Sequence, residues 1–134
     1  MGRRVSTGVP TDPVTARFPA QRASVAAARQ FVTDCLIEAG VTSVMDEARL
    51  LISELATNAI LHAATDFSVS VHISAGRVHV EVRDGDPTEI DLEPRFVGLD
   101  EPGGHGLRIV GRLAGDWGTR VEEHGKVVWF SVDA

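Results

Sequence analysis

Apolar positions change period several times along the chain, and each change marks an element. Val14, Ala16 and Phe18 alternate with Thr15 and Arg17, which predicts a short edge strand over about 14–19. Beyond it, Val25, Ala28, Phe31, Val32, Cys35 and Leu36 recur every three or four residues. A helix is expected there, from an N-cap at Ser24 to about Ala39, with Gly40 as its stop. Ser43 followed by Asp46 resembles a capping box, and Glu47 adds charge to the first turn. The second helix should therefore run from Val44 to about Ala63, with Ala48, Leu51, Ile52, Leu55, Ala59 and Ile60 as its apolar stripe. Strict alternation over 67–74 and 77–83 predicts a hairpin turning at Ala75-Gly76, with Ile73 opposite Val78 and His72 opposite His79.

From Asp84 to Gly104 the pattern lapses. Pro87, Pro94 and Pro102 lie there among Glu89, Asp91, Glu93, Asp100 and Glu101. A connection of that length in a small domain is usually functional or disordered. Leu107, Ile109, Val110 and Leu113 predict a third helix from about Gly106 to Gly115. Two strands close the chain, about 117–123 and 126–132, around a turn at His124-Gly125. The order helix, helix, hairpin, loop, helix, hairpin separates strands from helices, so the fold class is α+β, a two-layer sandwich. One domain is expected over 14–134, after an arm at 1–13 that shows no periodicity.

Composition narrows the function. The chain has 134 residues, 43% hydrophobic and 24% charged, which fits one folded domain and excludes a disordered one. Thirteen Lys and Arg against nineteen Asp and Glu leave a net charge of -6, which argues against direct nucleic-acid binding through a basic face. The single cysteine, Cys35, falls on the apolar face of the first helix, where burial is its expected role. No apolar run reaches the ~20 residues of a membrane helix, and the two Arg near the start precede no apolar segment; no membrane association and a cytoplasmic location are expected. His72 and His79 lack a third ligand and fall short of a zinc set.

Three short segments carry candidate chemistry. Glu54, Asn58 and His62 are spaced i, i+4, i+8 and line one flank of the second helix. A carboxylate and an amide oxygen there suit a substrate hydroxyl and a hard cation such as Mg²⁺, which keeps its waters and takes few protein ligands. An ordinary solvent face fits the same spacing. Asp84-Gly85 ends a strand, where a carboxylate accepts a hydrogen bond from an amino group such as that of adenine; it is also a common strand-to-turn sequence. Gly103-Gly104-His105-Gly106-Leu107 runs into an amphipathic helix whose N-terminal N–H groups suit an anion. Neither a Walker A loop nor a dinucleotide fingerprint is present, and a plain glycine-rich helix start fits as well.

Taken in order, Glu54-Leu55-x-x-Asn58-Ala59-x-x-His62-Ala63, Val82-Arg83-Asp84-Gly85-Asp86-Pro87 and Gly104-His105-Gly106-Leu107-Arg108-Ile109-Val110 resemble the histidine-kinase-like ATPases. The nearest branch is that of the anti-sigma-factor serine/threonine kinases. The resemblance runs from about Ala20 to the end of the chain. It implies the Bergerat fold: a mixed sheet covered on one face by helices, with ATP between helices and a lid at about 87–104. It also implies a Mg²⁺ ligand at Asn58, a general base at Glu54 and an adenine contact at Asp84. His62, Gly85, Gly104, His105, Gly106 and Leu107 would be further nucleotide contacts.

On that resemblance the expected partners are a sigma factor, which the protein sequesters, and an antagonist protein, which it phosphorylates. A homodimer is a further expectation. Two departures affect transfer more than binding: Asp86 replaces the usual small residue of the adenine box, and Glu101-Pro102 stand where an Arg can precede the lid glycines. Arg95 and Arg108 are the remaining candidates to steady a transferring phosphoryl group. The alternative is a module that binds ATP and docks a protein with little or no kinase activity. ATP hydrolysis driving a lid cycle ranks third. Val127 and Trp129 point away from the Val128, Phe130 and Val132 row, which leaves either an apolar patch or a thicker core.

Overall fold

The computed structural model describes residues 13–86 and 116–134. In chain order the elements are β1 (Val14–Phe18), α1 (Ala23–Ala39), α2 (Met45–Asn58), a π-helical turn (Ala59–Ala63), β2 (Phe67–Ser74), β3 (Arg77–Asp84), β4 (Asp116–Glu122) and β5 (Gly125–Asp133). The lid, its glycines and the third helix lie outside the described residues.

The strands form one sheet in the order β1-β2-β3-β5-β4, and α1 and α2 lie on one face of it. This is the α+β two-layer fold read from the sequence. Every pairing among the described strands is antiparallel, where the resemblance implied a mixed sheet. Two tight hairpins, β2–β3 and β4–β5, fix that sense, and β3 meets β5 antiparallel in the middle. Alternation then sorts the side chains: Val69, Val71, Val78, Val80, Val82, Val128, Phe130 and Val132 turn toward the helices. Val32, Leu36, Leu51, Ile52 and Leu55 close the core from above. Phe18 stacks on Phe67 at 5.6 Å and meets Phe31 edge-on at 6.2 Å, which pins β1 beneath α1.

Local chemistry explains most boundaries. α1 stops at Gly40, whose φ of 72° lets its N–H reach Ile37 O while Val41 N–H reaches Leu36 O, a Schellman closure. Its start differs from expectation. Arg22 holds the N-cap, and the buried Ser24 hydroxyl instead donates to Pro19 O at 2.7 Å. The Ser43–Asp46 capping box does not form either. Val44 is buried and occupies the cap position, so Ser43 falls one residue too early, and Met45 N–H bonds Thr42 O instead. The β2–β3 turn forms at Ala75-Gly76, with φ of 52° and 78°, the left-handed pair a two-residue hairpin needs.

The second hairpin corrects the sequence reading. Glu122 pairs with Gly125, so the loop is Glu123-His124 and Gly125 belongs to β5. On the outer face Val127 is fully buried, between Arg83 and Arg120 in register, and both guanidinium groups bind Glu122. The apolar patch at Val127 and Trp129 is therefore absent: arginine arms roof Val127, and Trp129 packs over Gly118 and 5.3 Å from His79. Long cationic side chains cover apolar surface while keeping their heads in water.

Candidate nucleotide site

α2 is held to the core by Ala48, Leu51, Ile52, Leu55 and Ala56, all buried. That burial leaves Glu54 and Asn58 one turn apart and half-buried on the same flank. The side toward α1 is stitched by polar contacts: Arg29 donates to the Ser53 hydroxyl at 2.9 Å, and Arg49 to the Thr33 hydroxyl at 3.2 Å. Ser53 and Thr57 hydroxyls bond back to the carbonyls of Arg49 and Ser53, both at 2.7 Å, a pattern that bends helices.

The α-helix ends at Asn58, five residues before the sequence boundary. Ala59–Ala63 form a wider turn closed by Ala64 N–H to Ala59 O at 3.2 Å, and Ala64 takes a left-handed φ of 55°. Such turns recur at functional sites. Here the change of period falls between Asn58 and His62. His62 is exposed on the widened turn. The chain then returns to the sheet end, where Thr65 Oγ1 accepts the Gly85 N–H at 2.9 Å.

Asp84 closes the core-facing row of β3, after Val78, Val80 and Val82. Its partner in register is Lys126, which closes the row of Val128, Phe130 and Val132 on β5. Lys126 Nζ lies 2.9 Å from Asp84 Oδ2, with the two side chains 4% and 3% exposed. Asp84 Oδ1 accepts the Asp86 N–H at 2.8 Å, and Lys126 also donates to Asp86 O at 3.3 Å. Gly125 makes the approach possible, because a Cβ there would overlap the Asp84 carbonyl. Lys126 and Thr65 were missed by the sequence reading. A signal for Lys126 was present: a lone charge at the end of an alternating apolar row must bury its cation against something.

β3 packs against the π-helical turn, so Asp84 and the end of α2 share the helix-facing side of the molecule. A cleft of about 420 Å³ opens on the outer side of the same strand ends, touching Asp84 and Gly85 and otherwise lined by residues such as Arg17, Thr65, Ser68, Arg83 and His124. Glu54, Asn58 and His62 do not line it. Gly104, His105, Gly106 and Leu107 lie outside the described residues, as do Arg95, Pro102 and Arg108.

Electrostatics separate chemistry from structure. Burial, with Glu38 and Asp34 nearby, raises the Cys35 thiol above its ordinary value and leaves it a poor nucleophile. Burial also pushes the Glu81 carboxyl up, yet the His79 hydrogen bond and the Arg120 charge outweigh it and hold the group below its usual range. His72 and His79 do face each other in register, and His79 is bound by Ser131 at 2.7 Å and Glu81 at 2.9 Å. Among the described residues no group of three or more His, Cys, Asp and Glu is placed to hold a metal ion. A magnesium ion at Asn58 would accordingly take most of its oxygens from phosphate and water. No helix among the described residues is long and apolar enough to cross a membrane.

Residues 18–132 match the family model of the histidine kinase-like ATPase domain. No curated protein matches the chain.

Proposed function

The chain belongs to the histidine kinase-like ATPase domain family, an ATP-binding fold, and from that premise we propose an ATP- and Mg²⁺-dependent protein serine/threonine kinase of the anti-sigma type. The observation that carries the reading is the pair Glu54 and Asn58, one turn apart on α2, on the side of the sheet that Asp84 also faces. Asn58 would hold a Mg²⁺ ion through its amide oxygen, and that ion would supply positive charge beside the phosphates. Glu54 takes the proton of an attacking Ser or Thr hydroxyl as its oxygen bonds to the γ-phosphorus. The bond from that phosphorus to the bridging oxygen of ADP then breaks. Phosphoryl transfer rests on such positioning and charge neutralisation more than on covalent chemistry.

The macromolecules this reading requires are a sigma factor, held by docking, and a small antagonist protein that carries the acceptor hydroxyl. Both follow from the resemblance in the Glu54–Ala63 and Asp84–Pro87 segments. So does a homodimer. The net charge of -6 supports a protein partner over nucleic acid.

Calorimetry with a nonhydrolysable ATP analogue, with and without Mg²⁺, tests the site directly. Binding that needs Mg²⁺ is expected, and no binding at millimolar ligand removes the proposal. Glu54→Ala should keep nucleotide affinity and lose about 10²- to 10⁴-fold in transfer to the antagonist. A variant that transfers as well as the parent takes Glu54 out of the mechanism. Binding with no phosphorylated partner in the parent protein identifies a docking module instead.

A further inference from the structure

We propose that Lys126 is the second base-reading group of the nucleotide site, donating to a purine ring nitrogen beside the amino group that Asp84 accepts. This rests on the reading of Asp84 as the adenine contact. Asp84 and Lys126 stand opposite each other at the ends of two apolar rows, almost wholly buried and 2.9 Å apart. Continuing the rows of Val82 and Val128 with two more apolar residues would avoid the desolvation that a buried ion pair incurs, and such replacements are often neutral or stabilising. Stability alone therefore gives no reason for charges at this point.

Hydrogen-bonding capacity supplies one. A carboxylate offers about four acceptor sites and an ammonium three donors. Asp86 N–H and Lys126 occupy two sites on Asp84, while Asp84 and Asp86 O occupy two donors of Lys126. By this count an acceptor on Asp84 and a donor on Lys126 are left over, on groups 2.9 Å apart. That order of groups complements the exocyclic N–H and the neighbouring ring nitrogen of a 6-aminopurine, on either edge of the base. Gly125, which lets the β5 backbone reach the Asp84 carbonyl, and the Asp86 main chain, bound to both groups, fix the couple in place.

The test compares ATP, 1-deaza-ATP and 7-deaza-ATP in Mg²⁺ buffer by calorimetry, on the parent chain and on Lys126→Met. In the parent, one of the deaza analogues should bind about ten- to a hundredfold more weakly than ATP, and which one names the edge read. In Lys126→Met that difference should vanish, ATP falling to the level of the analogue. Equal binding of all three by the parent overturns the inference while leaving the nucleotide site intact. A difference that survives in Lys126→Met overturns it as well. Should ATP itself fail to bind, both the inference and the reading beneath it fall. The comparison within the parent needs no variant, so a poorly folding Lys126→Met does not blunt it.

Discussion

Gly125 lies so close to Asp84 that a Cβ added to the glycine would overlap the carbonyl oxygen of the aspartate. The contact is between backbones of paired strands, so neither partner can move aside without breaking the β3–β5 ladder. Gly125→Ala should destabilise the fold by about 1–3 kcal/mol or more, as overpacking does. Gly85→Ala, where the new Cβ meets Thr65 at an ordinary 3.5 Å, should cost much less. Thermal melts of the two variants check this. Equal losses would mean that the tight approach is not what selects glycine at 125.

Glu122 lies between Arg83 and Arg120, at 2.9 and 3.2 Å, and the Arg83 and Arg120 hydrogen bonds hold its carboxyl down at about 2. A carboxyl whose folded value lies below its unfolded value stabilises the fold above the unfolded value and loses that contribution as pH falls. The window here runs from about 4.5 down to about 2. Glu122→Gln should therefore lower the melting temperature at neutral pH and flatten its fall across that window. A variant whose melting curve tracks the parent at every pH would show that the arginines gain nothing from the pairing.

Ala75 takes a φ of 52° in the β2–β3 turn, where a Cβ is disfavoured and Asn is preferred. Ala75→Asn should stabilise by about 0.5–1 kcal/mol and raise the melting temperature by a few degrees. The site is exposed and lies at the opposite end of β3 from Asp84, so nucleotide affinity should not change.

Trp129 is spread over Gly118 and beside His79, and Val127 is buried between Arg83 and Arg120 in register, so among the described residues these two form no free apolar patch. Trp129→Ser should leave the mass in solution as it is in the parent, measured by sedimentation. A change of oligomeric state would place Trp129 in an interface after all.

How far the chain discloses itself depends on the range of the interaction. Hairpins and α1 were legible because alternation, helical spacing and Gly40 act within a few residues of themselves. The candidate pair Glu54 and Asn58 was legible for the same reason, one helical turn being a local distance. The π-helical turn that follows them was not, because it is set by how α2 meets the sheet. Ser24 and Ser43 looked like caps, yet the burial of Ser24 and Val44 decided otherwise, and burial is a property of the whole packing.

By itself the sequence determined the α+β class, the core rows of each strand and the family to which the chain belongs, since periodicity and short motifs are written in neighbouring residues. Tertiary structure alone decided that Gly125 is a close-approach residue in a strand and not a turn residue. It also decided that Lys126 meets Asp84, 42 positions earlier in the chain. That pairing depends on the register of β3 against β5, and register is settled by the fit of two distant surfaces.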